Sequence, residues 1–590
     1  MSWSSRSFCA MRERKGPSVG DVAVAGDANA AVGRVGGGGI GGWEEEADEL
    51  QKEGRMGLDN GECPAVDDIR TTCSLERRWF KLSRNVLNSE ECPLFSFHGE
   101  LELNVRTTDQ RLSTQREPSG WRLTVKRTFW LGVRPRPMIS LLHTPLKFKH
   151  ALPTSTDVVV IGGGVIGVFT ALFLNRLGVK TVLLEKGRVA GEQSSRNWGW
   201  VRCMNRDPAE LPIAMEAQRL WKEVDQQVDG ATGYTTQGIH YLCATEEKLH
   251  SWQYWLDIAK AHDLDSHFIS QQQIAQQFPL LDHAKYVGAL TTPTDGRAEP
   301  WTAVPSVAAL AQQEGVLIRE ECAVRGLDVQ GGCVRGVATE HGPVKCEQVV
   351  LAGGAWSSML AHRHGIALPQ LLVKGTVAAL EPTGTEVVQG QVKDEALAVR
   401  KRKDGGYTLA LPNTIHHVGI DSLMQAPKWL PLLGTAPDVS LRPPPNGFDH
   451  PSKYDYQKWT DDQTSPFEKE RVLNPPPDAA TVKKLLALFQ SRFPTAHDRL
   501  GGPSTPPTIK TAWAGMIDAM PDVVPVVDRV KEIEGVVVAT GMSAHGFGIG
   551  PGFGKAVANI VVGQEVGHDM SRFRSTRFDD GSKIVPGPGL

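Results

Sequence analysis

A run of buried-strand residues followed by glycines and a helix occurs twice in this chain. In the first copy, a strand is predicted over Asp157–Ile161, a glycine turn over Gly162–Gly167 and an apolar helix over Val165–Leu177. A further strand is predicted over Thr181–Glu185. The second copy, "VVVATGMSAHGFGIGPGFG", begins at Val536. Short, continuous β-branched runs are typical of strands covered on both faces, as in parallel sheets.

The first copy also contains an uncharged segment, Val158–Leu174, which approaches the length that spans a bilayer. Its first residues are β-branched and its middle holds four glycines. These features favour a strand, a turn and a helix over one spanning helix. We therefore predict no transmembrane span.

Elsewhere the pattern alternates between helices and strands. Apolar residues recur at helical spacing from about Pro208 to Val228, at Ile213, Leu220 and Val224. Residues 366–430 indicate short strands of an antiparallel sheet. The end of the chain, residues 566–590, is polar and rich in glycine and proline, and we expect a loose tail there.

Residues 1–137 lack a sustained apolar period, so we expect a disordered extension that the folded part does not need. A chain that starts at Met138 is expected to fold. The first residues are rich in serine and arginine, as in a transit peptide, but the acidic run Glu44–Glu49 opposes that interpretation. We expect a cytoplasmic protein, with an organelle as the alternative if the extension is a transit peptide.

Composition narrows the class of function. The chain has 590 residues and a net charge of −3, so it lacks the basic excess of a nucleic-acid-binding protein. Its 9 cysteines are scattered without a CxxC pair. This spacing favours free thiols over a disulfide framework or a metal site, and we expect no metal.

The glycine turn carries the first candidate chemistry. Gly162, Gly164 and Gly167 form a GxGxxG pattern between a strand and a helix. The three glycines permit the tight turn, the approach of a pyrophosphate to the backbone, and close packing of helix on strand. Glu185 ends the next strand, where a carboxylate can accept hydrogen bonds from ribose hydroxyls. The pattern predicts dinucleotide binding, but by itself it does not distinguish FAD from NAD.

After Glu185 the chain enters a polar, aromatic loop, "KGRVAGEQSSRNWGWVR", rather than a third strand. Here the sequence resembles the FAD-dependent oxidoreductases typified by D-amino-acid oxidase, glycine oxidase and sarcosine oxidase, including the D-amino-acid dehydrogenases and the sarcosine oxidase β-subunit. Four blocks carry the resemblance, and it covers roughly Thr156 to Gly563. The blocks are GGGVIG with its following acid, the loop Glu192–Arg202, "VVLAGGAWS" from Val349, and "AWAGMIDAMPDVVPVV" with the C-terminal glycine-rich stretch.

The resemblance implies a mixed α/β (α+β) fold of two domains. A discontinuous Rossmann-like FAD-binding domain would be formed by residues 155–235, 291–365 and 510–565. An inserted substrate domain with an antiparallel sheet would be formed by residues 236–290 and 366–509. The second glycine-rich stretch would then lie at the flavin end of the same site and would not bind a second nucleotide.

The resemblance also implies which residues hold FAD, which we expect to be non-covalent. These residues come from the glycine turn and the start of its helix, the polar loop, the returning strand and the C-terminal stretch. The candidate cofactor-binding residues are Gly162, Gly164, Val165, Ile166, Gly167, Glu185, Lys186, Ser194, Ser195, Arg196, Val324, Ala352, Gly353, Trp356, Gly541, His545, Gly546, Gly548 and Ile549.

In such enzymes a hydride moves from the carbon beside an amine to flavin N5. Arg202 matches the family's substrate-binding arginine, whose planar fork suits a carboxylate. Its alternative is an ordinary salt-bridged arginine. His545 beside the predicted flavin edge and Tyr407 on a predicted hairpin are the other catalytic candidates. Trp198, Trp200 and Trp513 are candidates for the pocket wall, with core packing as the alternative.

Two departures limit this transfer. Monomeric sarcosine oxidases carry a carboxylate-holding lysine where this chain has Gly548, and a covalent-flavin cysteine near Ala514–Met516. The leading hypothesis is oxidation of an amino acid or secondary amine, with oxygen or a redox carrier as electron acceptor. The alternatives are a flavoenzyme acting on a hydroxy acid or polyol, and a non-catalytic flavin-binding protein.

Overall fold

The computed structural model describes residues 112–117, 120–125, 146–382, 386–430, 439–443, 458–494 and 507–588. The chain divides into two units, Met1–Leu131 and Gly132–Leu590. In the first unit, the strands Leu112–Glu117 and Gly120–Val125 pair antiparallel. Apart from this hairpin, the extension expected over residues 1–137 lies outside the described residues.

A six-stranded sheet, here called the nucleotide sheet, is built from distant parts of the second unit. Neighbouring strands are parallel, except that the last pair is antiparallel. The strands, in spatial order, are Leu317–Arg319, Thr181–Leu184, Val158–Ile161, Gln348–Leu351, Val536–Thr540 and Val526–Arg529.

Both faces of the nucleotide sheet are covered, which explains the continuous apolar runs of its strands. Val158 and Val160 belong to one core cluster, with the helix Val165–Arg176. Val159 and Ile161 point to the other face and belong to a second cluster. That second cluster includes an antiparallel three-stranded sheet formed by Val324–Gln330, Cys333–Thr339 and Gly342–Lys345.

Four helices cover the first face. We call Val165–Arg176 the turn helix and Gly546–Val562 the C-terminal helix, and these two pack directly on each other. The other two helices are Leu211–Gln227 and Pro300–Gln313. Tight packing here depends on glycine, because a Cβ at Gly550 would lie 2.5 Å from Val165 Cγ2.

The strand–helix–strand unit lies where the pattern predicted it. Its elements, Val158–Ile161, Val165–Arg176 and Thr181–Leu184, each differ from the predicted bounds by at most one residue at either end. The helix expected from about Pro208 begins later, at Leu211. Asp207 accepts the backbone N–H of Ala209 at 2.9 Å, so a turn precedes the helix.

A ten-stranded, mostly antiparallel sheet, here called the long sheet, forms the inserted part. Two of its pairings are parallel. The strands, in spatial order, are Val439–Arg442, Thr414–His417, Leu371–Leu380, Tyr407–Ala410, Ala398–Lys401, Gln391–Lys393, Ile239–Cys243, Gly288–Thr292 and His267–Ser270, with Ile509–Ala519 pairing beside Leu371–Leu380.

The pairing of the strand Ile509–Ala519 bears on one expected domain boundary. Residues 510–565 were assigned to the FAD-binding domain, yet Leu371 to Leu380 pair with this strand in the long sheet. The return to the nucleotide sheet therefore comes after Ala519, at the strand Val526–Arg529.

Shorter elements complete the second unit. The strands Trp200–Val201, Gly296–Arg297 and Thr235–Thr236 form a small antiparallel sheet. Further helices are Gln193–Arg196, Glu246–His250, Gln253–Ala261, Gln271–Gln277, Ser357–Arg363, Ile420–Trp429, Pro466–Lys469 and Ala479–Arg492, with 3-10 turns at His283–Lys285, Gly354–Trp356, Ser571–Phe573 and Ser575–Phe578.

Part of the segment 566–590, for which a loose tail was expected, packs on the protein, whereas residues 579–588 are exposed or half-buried. Phe573 is completely buried and meets the ring of Phe553 edge-on. The buried guanidinium of Arg577 pairs with Asp522. Among the described residues no helix is long and apolar enough to cross a membrane.

Candidate active site

A cleft opens at the carboxyl ends of the parallel strands of the nucleotide sheet. Its lining comes from three separated segments, residues 162–197, 352–356 and 516–547. It encloses about 900 Å³ of space not filled by atoms, with the open solvent at its mouth included. Ligands of open α/β sheets bind at this edge of the strands.

The glycine turn forms one end of the cleft. Gly162 has a φ of +110°, and a Cβ there would overlap the carbonyl oxygen of Ala352. Gly164 precedes the turn helix without a side-chain cap. Ser194 Oγ accepts the backbone N–H of Val165 at 2.9 Å. The remaining free N–H groups of this helix start present partial positive charge to the cleft.

Glu185 lies beside this turn and lines the cleft. Its Oε2 accepts the N–H of Gly163 at 2.7 Å, and its Oε1 accepts the N–H of Gly187 at 2.7 Å. A carboxylate oxygen has capacity for a second hydrogen bond, so each oxygen can still accept from a hydroxyl group. The arrangement suits a ribose with two free hydroxyls.

Lys186, the next residue, has its ammonium fully engaged by the protein. Nζ donates to Glu192 Oε1 at 2.7 Å and to the carbonyl oxygens of Glu470 and Arg471, both at 2.9 Å. It also lies 4.3 Å from the centre of the Trp356 ring. All three donors are used, so Lys186 contributes a fixed charge to the wall of the cleft.

The opposite end of the cleft is formed by the loop before the C-terminal helix. Asp518 Oδ2 accepts the N–H groups of Gly541 at 2.9 Å and Met542 at 3.2 Å. Burial raises the pKa of Asp518 to about 6. Ala544 has a φ of +66°, a strained conformation of the kind that clusters at ligand sites.

His545 is the last residue of this loop, directly before the C-terminal helix, and its side chain forms a buried pair with Glu210. Its Nδ1 lies 3.0 Å from Glu210 Oε2, while its Nε2 is buried and has no hydrogen-bond partner in the part of the chain that the structure describes. Burial and the nearby charge of Arg206 lower the pKa of His545 to about 4. Burial opposes ionisation of Glu210, but His545 and Arg206 outweigh it and lower the pKa of that carboxyl. A neutral ring that donates Nδ1–H to an ionised Glu210 leaves Nε2 as an acceptor.

Arg202 lies on the loop that follows the strand Trp200–Val201. Its Nη1 donates to the backbone carbonyls of Met204 and Asn205. Among the described residues, no carboxylate oxygen lies within 4 Å of its guanidinium. The ordinary salt-bridged alternative therefore finds no partner here.

Many of the predicted cofactor-binding residues line the cleft together. They are Gly162, Gly164, Val165, Ile166, Glu185, Lys186, Ser194, Ala352, Gly353, Trp356 and Gly546. Others lie outside its lining, and these are Gly167, Ser195, Arg196, Val324, Gly541, His545, Gly548 and Ile549.

Two predicted site residues that lie outside the lining of the cleft have buried side chains that contact the protein. Arg196, expected to contact the cofactor, donates to Asn474 Oδ1 at 2.8 Å and to two backbone carbonyls. Tyr407, expected in the substrate cavity, is completely buried in the core of the long sheet. Its hydroxyl accepts the N–H of Val387 at 2.7 Å. The Tyr407 hydroxyl is thus used inside the long sheet, whereas Nε of Arg196 is buried without a hydrogen-bond partner among the described residues.

Other candidate residues also make contacts within the protein. Ser195 Oγ donates to the carbonyl of Glu192. Val324 packs in the cluster below the nucleotide sheet. Trp513, a candidate for the pocket wall, donates its Nε1–H to the carbonyl of Arg196 at 2.9 Å. At Gly167 a Cβ would overlap the carbonyl oxygen of Gly162, so this glycine serves the contact of helix with turn.

Arg188, Gln193 and Asp518 are among the cleft residues that the sequence analysis did not name as candidates. Arg188 Nε and Gln193 Oε1 are buried and have no hydrogen-bond partner among the described residues. Asp518 lies in the block "AWAGMIDAMPDVVPVV", which was quoted for the resemblance. A basic residue three positions after Glu185 was a usable signal for Arg188. No local pattern marked Gln193 or Asp518.

The residues present fit a flavin dinucleotide. The glycine cradle leaves no side chain between the turn and a phosphate, and Glu185 keeps acceptor capacity for ribose. The unpartnered Oε1 of Gln193 can accept a hydrogen bond, and the unpartnered Nε of Arg188 can donate one. When bound, FAD would be held by these groups and by the starts of the turn helix and the C-terminal helix.

One protein family matches most of the chain. The profile of FAD-dependent oxidoreductases matches residues 157–560. Among curated relatives, mouse sarcosine dehydrogenase is 24% identical over 331 residues, which are 55% of this chain and 35% of the relative. The matched segment thus spans about a third of that protein. Sarcosine oxidase subunit beta of Arthrobacter is 24% identical over 76% of this chain and 98% of its own length.

A solved structure agrees with this family. The L-amino acid deaminase of Proteus myxofaciens, solved in complex with anthranilate, superposes with a TM-score of 0.68 at 28% identity. The alignment covers 73% of this chain and 96% of the deaminase.

Proposed function

Because the chain belongs to the family of FAD-dependent oxidoreductases, we propose that it oxidises the CH–NH bond of an amino acid or secondary amine. The observation that carries the proposal is that one molecule has both a dinucleotide cleft and an arginine, Arg202, with no carboxylate partner among the described residues. The names of similar proteins support the substrate class, since they include a sarcosine dehydrogenase and an L-amino acid deaminase.

The chain's own residues would position the substrate. FAD, when bound, supplies the acceptor for the hydride that leaves the carbon beside the amine. Arg202 would hold a carboxylate through its planar fork. His545 Nε2, a buried acceptor, would receive a hydrogen bond from the substrate nitrogen and orient it. The helix start at Gly546 would place backbone N–H groups at the flavin end of the cleft.

We also propose that the cofactor is held without a covalent bond. At Gly515 a Cβ would overlap Oε1 of Gln193 and lie 3.0 Å from the Cβ of Arg196. Ala514, Gly515 and Met516 offer no thiol to the flavin. Acid precipitation of the purified protein should release all flavin into the supernatant. Flavin that remains with the precipitated chain would contradict this part of the proposal.

The activity is tested by an anaerobic reduction screen. Amino acids and N-methyl amino acids are added to the purified, FAD-loaded protein, and the loss of flavin absorbance is followed. Reduction by at least one amine is expected. Re-admission of oxygen then separates an oxidase, which reoxidises at once, from a dehydrogenase, which needs an added redox carrier.

The same screen includes hydroxy acids and polyols as matched compounds without nitrogen. Reduction by these compounds but not by amines would replace the proposal with alcohol oxidation. Flavin that no donor reduces would point to a non-catalytic flavin-binding protein. A protein that binds no FAD would refute the whole interpretation.

For cellular location we propose the cytosol, with an organelle as the alternative. The mouse sarcosine dehydrogenase is mitochondrial by name, which supports the alternative. A fluorescent protein fused to the C-terminus of the full chain, imaged against organelle markers, distinguishes the two.

A further inference from the structure

The helix Ile420–Trp429, here called the edge helix, turns its apolar side chains outward. Its exposed residues are Ile420, Leu423, Met424 and Pro427, which recur at helical spacing along one side. Leu423 is 70% exposed, and the helix has no buried residue. A surface helix of a globular protein normally directs its apolar side to the core. The reversed orientation therefore indicates an interaction surface.

Polar contacts attach the edge helix to the rest of the protein. Ser422 Oγ lies 2.9 Å from Nε2 of His416, which belongs to the neighbouring strand Thr414–His417. Trp429 Nε1 donates to the carbonyl oxygen of Pro369 at 2.8 Å. The side of the helix that faces the protein is thus held by hydrogen bonds, and its apolar side faces away from it.

The apolar side of the edge helix continues onto the end of the long sheet. Among the described strands, Val439–Arg442 is the last at this end, and its Leu441 is 55% exposed. Leu441 is in register with His416, and in-register residues of paired strands point to the same side of a sheet. Leu441 therefore lies on the side that carries the edge helix. We call these residues, with the adjoining Leu430, the apolar face: Ile420, Leu423, Met424, Pro427, Leu430 and Leu441.

Two opposite charges flank the apolar face. Asp421 lies in the first turn of the edge helix and Lys428 in the last turn. They are about two turns apart, so both lie along the same flank of the apolar side. When two copies of a helix pack antiparallel about a two-fold axis, identical flanks meet. Asp421 of each copy would then face Lys428 of the other.

The same charges disfavour a lipid surface as the occupant of the apolar face. Helices that lie on membranes carry several Lys or Arg residues on their polar side. The charged residues of the edge helix are one acid and one base, Asp421 and Lys428, and their charges cancel. Lys428 also pairs with Asp579 at 2.7 Å. A protein surface with a matching pair of charges fits better, and a second copy of the chain supplies that pair by symmetry.

We propose that the apolar face is an isologous interface with a second copy of this chain, in which the two edge helices pack antiparallel. The two-fold axis would pass between Met424 and Gln425, so that Asp421 and Lys428 of the two copies form two equivalent ion pairs. Association would remove the exposed leucines from water, which is its driving force. This inference goes beyond the proposed function and does not depend on it.

The association is tested by sedimentation equilibrium of the FAD-loaded full chain, at concentrations up to about 100 µM. We expect a mass that rises toward twice that of one chain. Leu423→Arg should raise the dimer Kd at least about tenfold, because it introduces a charge into the centre of an apolar contact. Leu177→Arg replaces a leucine that is 41% exposed and lies outside the apolar face. It is the matched control and should leave the Kd unchanged.

Two charge variants test the antiparallel arrangement. Asp421→Lys and Lys428→Glu should each weaken association, because like charges then meet across the two-fold axis. When the two variants are mixed in equal amounts, they should associate more tightly than either alone, since each supplies the charge that the other lacks. Fluorescence-detected sedimentation, with the label on one variant, measures this mixed dimer.

The flavin content and melting temperature of each variant show whether it is folded, and Leu423→Gln replaces Leu423→Arg if the latter loses flavin. A wild type that stays monomeric over the whole concentration range would overturn the inference. So would a dimer that Leu423→Arg leaves intact, or a mixture of the charge variants that associates no better than either variant alone. A monomeric wild type that binds phosphatidylserine vesicles through Leu423 would assign the apolar face to a lipid surface instead.

Discussion

Glu185 is the side chain on which nucleotide affinity should depend most directly. Its two oxygens each accept one backbone N–H, at 2.7 Å, and keep capacity for ribose. In Glu185→Gln one carboxylate oxygen becomes an NH2 group. This donor would face either a backbone N–H or the ribose. We expect the Kd for FAD to rise by about tenfold or more, because a charge-assisted acceptor is lost. Titration of flavin-free protein with FAD, followed by flavin fluorescence, measures it.

The control for this variant is Glu314→Gln, which lies on the surface and pairs with Arg176. Its Kd for FAD should equal that of wild type. Equal affinity in Glu185→Gln and wild type would show that the carboxylate is occupied by the two amides alone.

His545 should make stability depend on pH. Its pKa is about 4 in the folded protein and near 6.5 when unfolded, so unfolding takes up a proton between these values. Stability therefore falls as the pH decreases from 6.5 toward 4, by up to about 3 kcal/mol. Glu210, whose pKa is lowered, acts in the same direction at still lower pH. In His545→Asn, the melting temperature should vary less over this window.

An exposed histidine, His250, provides the control, since His250→Asn should keep the wild-type pH profile. A profile of His545→Asn that matches wild type would mean that other buried groups determine the acid sensitivity.

At the residue scale, sequence patterns located the cleft better than the polar contacts inside it. Gly162, Gly164 and Glu185 were found because backbone geometry and the end of a strand determine their roles. Arg196 was assigned to the cofactor, yet its partner Asn474 lies 278 positions away along the chain. A local pattern holds no information about such a partner, and the same is true of Tyr407 and Val387.

At the element scale, the glycines of the C-terminal helix determine how closely it packs. A Cβ at Gly554 would lie 2.5 Å from Phe169 Cβ and 3.0 Å from backbone atoms of the turn helix. Gly554→Ala must push the two helices apart, so we expect a loss of about 2 kcal/mol despite alanine's better helix propensity. The midpoint of urea unfolding measures this loss.

Lys555→Ala is the matched change on the same helix. The Lys555 side chain is 39% exposed and pairs with Glu216, so its removal should cost less than about 1 kcal/mol. A Gly554→Ala protein as stable as Lys555→Ala would mean that the helices can separate freely.

The elements that could be predicted were those with a strong internal pattern. The parallel strands lie within a residue of their predicted bounds because both faces are buried and the whole run is apolar. The strand Ile509–Ala519 lies in the segment 510–565 that was assigned to the FAD-binding domain, yet it pairs with Leu371–Leu380 in the long sheet. Its membership depends on a partner more than a hundred residues earlier, which a local pattern does not identify.

At the scale of the whole molecule, the chain leaves the nucleotide sheet and returns to it after the long sheet. The return passes through the turn that holds Asp522, between the strand Ile509–Ala519 of the long sheet and the strand Val526–Arg529 of the nucleotide sheet. Asp522 is 1% exposed, and two N–H groups of Arg577 contact it at 2.8 and 3.0 Å. The C-terminal segment therefore ties down the junction of the two sheets.

Replacing Arg577 should weaken the whole fold, because among the described residues it leaves the buried carboxylate of Asp522 with only Arg572, at 3.6 Å, as a charged partner. We expect Arg577→Ala to lower the free energy of unfolding by about 3 kcal/mol, as in other broken buried pairs. Arg574→Ala, three residues earlier, removes a part-exposed pair with Asp580 and should cost less than about 1 kcal/mol. Urea unfolding of the FAD-loaded proteins, followed by tryptophan fluorescence, compares them. Equal midpoints for the two variants would mean that the segment after Gly563 rests on the surface without stabilising the junction.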